Sequence, residues 1–130
     1  MKARKPILHC DALVVHCMDY RLQKFLHPWI MSRFGADNFD IISLAGGVHD
    51  YEMVLKYVQL AAQIHSINTV TLVNHGDCRA YGRDGTYARH KHDLLDARKK
   101  IQVLFPDLGV ETFYLHLDGA FEAIQTQLSP

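Results

Sequence analysis

The chain has 130 residues and a mass of 14.9 kDa, which is room for one domain, 1–130, built around a single core. Apolar residues make up 48% and charged residues 22%, a globular balance that excludes a disordered chain. Lys+Arg and Asp+Glu both number 14, so the formal net charge is zero, and the electrostatic footprint expected of a nucleic-acid or anionic-membrane binder is absent.

The basic start, Met1 to Pro6, is followed by an apolar stretch that His9, Cys10 and Asp11 interrupt. It lacks the hydrophobic region of a signal peptide, and no run reaches the roughly 20 apolar residues of a membrane span. Three cysteines are too few and too scattered for a disulfide framework. A cytoplasmic protein with reduced thiols is expected. Ala12–His16 is the first predicted strand, an almost unbroken apolar run suited to burial on both faces. Leu22, Phe25, Leu26, Trp29 and Ile30 follow at helical spacing. Phe39–Ser43 is the second strand. Tyr51, Val54, Leu55, Val58 and Ala62 mark the second helix, with Asp50 as its N-cap. Thr69–Val73 is the third strand. Leu94, Ala97, Ile101, Leu104 and Phe105 mark the third helix, stopped by Pro106. Val110–Leu117 is the fourth strand, whose alternation suits a sheet edge. From Gly119 onward, Phe121, Ala123 and Ile124 predict a short last helix.

The alternating order and right-handed crossovers predict an α/β fold. It is a doubly wound, mainly parallel four-stranded sheet of order 2-1-3-4 with flanking helices. Its switch point lies at the carboxyl ends of strands 1 and 3, where such sheets bind ligands. Cys17, Asp19 and Arg21 follow strand 1, and His75 and Cys78 follow strand 3. Two cysteines and a histidine meeting in one crevice match Zn²⁺ chemistry, with three protein ligands and one open position in the catalytic arrangement. Asp19 and Arg21, two residues apart, are predicted to form a bidentate pair beside the metal. The ionised carboxylate would accept a hydrogen bond from a zinc-bound hydroxide and aim it.

With these residues in place, the sequence resembles the β-class carbonic anhydrase family. The resemblance runs from about Leu13 to Leu117. Cys17, Asp19 and Arg21 match the family's Cys-x-Asp-x-Arg string, and His75 and Cys78 match its His-x-x-Cys string. The segment Asp40 to Gly47 is similar to the family's second-strand region ending in Ala-Gly. The resemblance implies hydration of CO₂ to bicarbonate at a zinc ion held by Cys17, His75 and Cys78, with Asp19 and Arg21 as the orienting dyad. It also implies a homodimer or higher homo-oligomer whose second copy completes the pocket. Ser43 and Leu44 stand where the family usually has Arg-Asn, and Arg79 where it usually has Gly. Three rivals remain. The first is hydrolysis of carbonyl sulfide or carbon disulfide on the same fold, and the second a non-catalytic zinc-binding or regulatory protein. The third is a flavodoxin-like module that binds a phosphate-bearing ligand in the same crevice and no metal tightly.

The remaining residues divide between two readings. The backbone of Ala45, Gly46 and Gly47 either approaches the substrate closely or makes a tight turn. His49 is read as an exposed loop residue with a possible proton-shuttle role. His90 and His92 are read as a solvated helix face, and His9, His27, His65 and His116 as structural. His16 points away from Cys17 along strand 1 and is not counted as a ligand. Cys10 is a free buried thiol. Asp77 is expected to cap amides or to orient a ligand. Arg79 and Arg83 are solvated, or attract a small anion. Phe25 and Trp29 belong to the core or a dimer interface.

Overall fold

The computed structural model describes residues 8–125. The reading of Met1 to Pro6 therefore falls outside the described residues. Five strands form one sheet: β1 (Ala12–Cys17), β2 (Phe39–Leu44), β3 (Thr69–His75), β4 (Gly109–Leu115) and β5 (Phe121–Ala123). Their order is β2-β1-β3-β4-β5, with all neighbours parallel except the antiparallel β4–β5 pair. Three helices connect the parallel strands: α1 (Gln23–Phe34), α2 (Tyr51–His65) and α3 (Tyr87–Leu104).

β1 is an inner strand between β2 and β3, and every residue in it is buried, as its almost unbroken apolar run requires. Leu13, Val15, Val70 and Leu72 pack against Val54, Val58 and Ala61 of α2 and Leu94, Ala97 and Ile101 of α3. Val14, Val73 and Leu115 pack against Leu26 and Ile30 of α1 on the other face. The helix caps follow the local chemistry. The Asp50 carboxylate accepts from the Met53 amide, as expected, and Thr86 accepts from the Arg89 amide at the start of α3. That second cap starts α3 at Tyr87, one turn and more before the apolar stripe at Leu94.

The predicted last helix is a strand. Asp118 and Gly119 make a tight hairpin turn, with Gly119 at φ +97° and the Asp118 carboxylate accepting from the Ala120 amide. The chain then returns along β4, with Leu115 opposite Phe121. An Asp-Gly pair between two apolar runs is a hairpin signal, and it outweighs the helical spacing of Phe121 and Ile124. The sheet therefore has five strands, and β4 is an inner strand, not an edge. Phe121 stacks on Trp29 of α1 with ring centroids 4.2 Å apart and planes 3° apart, while Phe113 meets the same indole edge-on. Among the described residues no helix is long and apolar enough to cross a membrane.

Trp29 is the only tryptophan in the chain, so its fluorescence reports on β5 directly. Phe121→Ala is expected to shift its emission to the red and to cost about 1 kcal/mol or more of stability, the scale of an aromatic pair plus lost burial. Unchanged emission would show that β5 does not pack on α1.

Candidate metal centre

Parallel pairing places the ends of β1 and β3 side by side. Cys17 ends β1, His75 ends β3, and Cys78 lies in the turn that follows. One donor atom from each lies within 4.8 Å of the other two, and all three residues are buried. Donors around a single tetrahedral zinc sit about 3.5–3.8 Å apart, so small side-chain movements bring this set onto one ion. His16 is buried too, but its ring bonds to the Cys17 carbonyl at 2.8 Å and is not part of the cluster, as its place on the strand predicts.

The protonation pattern fits a cation. Nδ1 of His75 lies 2.7 Å from the Gly76 carbonyl oxygen, which can only accept, so Nδ1 carries the proton and Nε2 is left as an acceptor. That Nε2 is buried without a hydrogen-bond partner. An orphaned acceptor facing two thiols costs free energy unless something fills the gap. The neighbouring Cys78 thiol pulls the Cys17 thiol down, aided by His75 and by the Gly46 amide. The nearby Cys17 sulfur, and then burial, push the Cys78 thiol up. A divalent cation between them would let both sulfurs ionise. The Gly46 amide donates to Sγ of Cys17 at 3.4 Å.

Asp19 and Arg21 form the expected pair. The Arg21 guanidinium donates to both Asp19 oxygens, at 2.7 Å from Nη2 and 3.1 Å from Nε, and the Arg21 amide donates at 2.9 Å. Arg21 beside it holds the Asp19 carboxyl down at about 2. Asp19 is not among the donors clustered within 4.8 Å, so here it serves Arg21 and not the metal position. Arg21 also reaches the other loop. It donates to the Asp77 carboxylate at 3.0 Å and to its carbonyl at 2.9 Å. Asp77 thus anchors Arg21, at a left-handed φ of +52°. Arg79 is exposed and adds a weaker bond to Asp77 at 3.2 Å.

Beside the cluster opens a cavity of about 550 Å³, lined by Met18, Asp19, Tyr20, Arg21, Ala45 and Ala80 among others. Ala45 is on its wall, whereas Gly46 and Gly47 pack behind it. Gly47 lies at φ +59°, and a Cβ there would meet Asn74 Oδ1 at 2.6 Å. The Val48 amide donates to that same oxygen at 3.2 Å.

A family model described as "Putative carbonic anhydrase" matches residues 8–125. The chain belongs to this family. Uncharacterized proteins of Rickettsia bellii and Rickettsia conorii are 27% and 28% identical to it, each over 92% of this chain and over 85% and 75% of their own lengths. Among solved structures, a carbonic anhydrase from Streptococcus mutans shares the fold of this carbonic anhydrase-family chain. Its TM-score is 0.65 at 16% identity, covering 96% of this chain and 88% of that one. A carbon disulfide hydrolase superposes with a TM-score of 0.66 at 13% identity, covering 93% and 82%. The β-carbonic anhydrase CafA of Aspergillus fumigatus gives 0.56 at 12%, covering 94% and 78%. The fold of this family member is that of the β-carbonic anhydrases.

Behind the cluster lies a buried polar network that sequence reading missed. Asn74, next to His75, donates to the Tyr81 hydroxyl at 3.0 Å and to Nδ1 of His90 at 2.9 Å. The Tyr81 hydroxyl donates to Asp93 at 2.9 Å. His90 is fully buried, which overturns its reading as a solvated residue, while His92 is exposed as expected. The signal available was the stripe His90, Leu94, Ala97, Ile101, which extends the apolar face of α3 back by one turn. His49 is exposed and packs on the Tyr81 ring at 4.3 Å.

Burial lowers the His90 pKa from 6.5 to about 4. Its unfolded form therefore binds a proton at a pH where the native form does not. The stabilisation is complete above about pH 6.5 and is lost as pH falls toward 4, with an upper bound of about 3 kcal/mol. Urea unfolding at pH 7 and pH 5 should show a smaller loss for His90→Gln than for the unsubstituted chain. Equal losses would remove His90 from the acid response.

Proposed function

We propose that this chain is a zinc-dependent carbonic anhydrase that hydrates CO₂ to bicarbonate and a proton, with Cys17, His75 and Cys78 as the metal ligands. The observation that carries the reading is the orphaned Nε2 of His75, buried against two thiols. The donor set is right for zinc, which takes thiolate sulfur and imidazole nitrogen. When bound, zinc supplies a Lewis acid that brings the pKa of a coordinated water toward neutrality.

The other steps belong to the protein. Asp19 stays ionised and can only accept hydrogen bonds. Arg21 fixes its orientation through two bonds, and Asp77 fixes Arg21 from the opposite loop. Held in this way, Asp19 would accept a hydrogen bond from the O–H of the attacking oxygen, without taking its proton, and so turn a lone pair of that oxygen toward the substrate carbon. Two thiolates donate more charge to a metal than imidazoles would, and the Gly46 amide at Sγ of Cys17 offsets part of that donation. Ala45 forms the wall on which a small uncharged molecule rests, and Gly46 and Gly47 let the backbone come close behind it. Met18 and Tyr20 on the cavity rim are 64% and 86% exposed, which supports a second copy of the chain closing the pocket in a homodimer. The neutral charge and the reduced cysteines fit a cytoplasmic enzyme.

A second reading has one observation in its favour. Met18, Ala45 and Ala80 make the cavity wall largely apolar, which also suits carbonyl sulfide or carbon disulfide. The three substrates are linear and differ in polarity and length.

Stopped-flow hydration of CO₂ by zinc-loaded protein, with the two sulfur substrates run alongside, ranks these readings. CO₂ is expected to turn over fastest. Turnover of carbon disulfide alone would replace the first reading with the second, and inactivity toward all three would leave a non-catalytic metal protein. Asp19→Ala should keep its zinc and lose about 100-fold or more in kcat/KM. Cys78→Ser should lose the zinc of this cluster and the activity together. Full activity in Asp19→Ala would remove the orienting role.

A further inference from the structure

A second set of metal donors lies at the opposite end of the sheet. Cys10 precedes β1, Asp40 is the second residue of β2, and His65 ends α2. One sulfur, one carboxylate oxygen and one imidazole nitrogen from these residues lie within 4.8 Å of one another. Asp40 begins the sheet edge whose far end leads into the Ala45 loop, so the two clusters are separated by the length of a strand. Sequence reading treated Cys10 as a free buried thiol and His65 as structural.

We propose that Cys10, Asp40 and His65 form a second, non-catalytic site for a borderline divalent cation, zinc foremost. The donors are the sulfur, oxygen and nitrogen types that zinc accepts. Their surroundings favour a cation. Nδ1 of His65 lies 2.7 Å from the Asp40 carboxylate, which among the described residues has no other ion-pair partner. Cys10 is 7% exposed, and its thiol donates only a long bond, 3.6 Å, to the Ala12 carbonyl. Burial and then the nearby Asp40 charge raise the Cys10 pKa, so the thiol keeps its proton until a cation offsets that charge. On binding, the thiol proton leaves to solvent, His65 enters as neutral imidazole, and the His65–Asp40 hydrogen bond gives way to bonds to the metal.

Asp40 and His65 line a cavity of about 190 Å³ with Tyr57, Ala61 and Ile64, while the Cys10 sulfur lies outside that lining; the cavity leaves room for a water on the Asp40 and His65 side of the site. The site also has a structural consequence. The Cys10 amide already bonds to the His65 carbonyl at 3.2 Å, so a metal there ties the chain entering β1 to the end of α2 and to edge strand β2. Only the native state assembles the three donors, so binding stabilises that state.

The test is zinc stoichiometry by elemental analysis after dialysis against buffered zinc, paired with thermal unfolding. His65→Gln and Asp40→Asn are the variants, because both side chains are partly exposed and tolerate substitution better than Cys10; circular dichroism verifies their fold. Each is expected to bind one zinc fewer per chain than the unsubstituted protein and to lose a zinc-dependent rise in Tm. His92→Gln, at an exposed histidine, should keep the full count. Wild-type stoichiometry and affinity in either variant would overturn the proposal. The comparison is a difference, so it stands whether or not Cys17, His75 and Cys78 hold zinc; the count left in His65→Gln reports on that set separately.

Discussion

Ala12 to Val15 of β1 pair in parallel with Thr69 to Leu72 of β3, and this ladder brings Cys17 and His75 to the same end of the sheet. Parallel pairing needs a long crossover, and here α1, β2 and α2 provide it. The ladder also demands burial on both faces, and the apolar run of β1 meets that demand. A slip of one residue would turn Leu13 and Val15 away from α2 and α3 and carry Cys17 off the crevice. The hydrophobic register and the donor geometry are therefore one constraint.

Around that ladder the two loops are joined electrostatically. Arg21 from the first loop holds Asp19 with one part of its guanidinium and Asp77 of the second loop with the other. The Asn74–Tyr81–His90–Asp93 network does similar work from behind, pinning the residue before His75 to α3. Buried polar groups cost stability when half-satisfied, and this network leaves only Nε2 of His90 without a bond. The centre is thus held from both sides.

Much of this was legible from sequence. β1 and β3 announce themselves as apolar runs, and topology then places Cys17, His75 and Cys78 together with the Asp19–Arg21 pair. Less legible were features that depend on contacts between distant segments. The hairpin at Asp118 and Gly119 carried a turn signal, but Phe121 and Ile124 at helical spacing masked it until Trp29 was seen beneath Phe121. His90 reads as polar within Arg-His-Lys-His-Asp, yet it is buried because Asn74 and Tyr81 meet its ring. Asp77 finds its partner across 56 residues, and Cys10, Asp40 and His65 come from three separate elements. No local spacing encodes such meetings.

On the proposed function, Cys17, His75 and Cys78 bind one zinc ion with two sulfurs and one nitrogen. X-ray absorption at the zinc edge tests it most directly, on His65→Gln protein loaded with one equivalent so that the far cluster does not contribute. Two sulfur neighbours at about 2.3 Å and a histidine nitrogen at about 2.0 Å, with a light-atom fourth neighbour, are expected. A zinc surrounded only by nitrogen and oxygen, or a protein that retains no zinc, would contradict it.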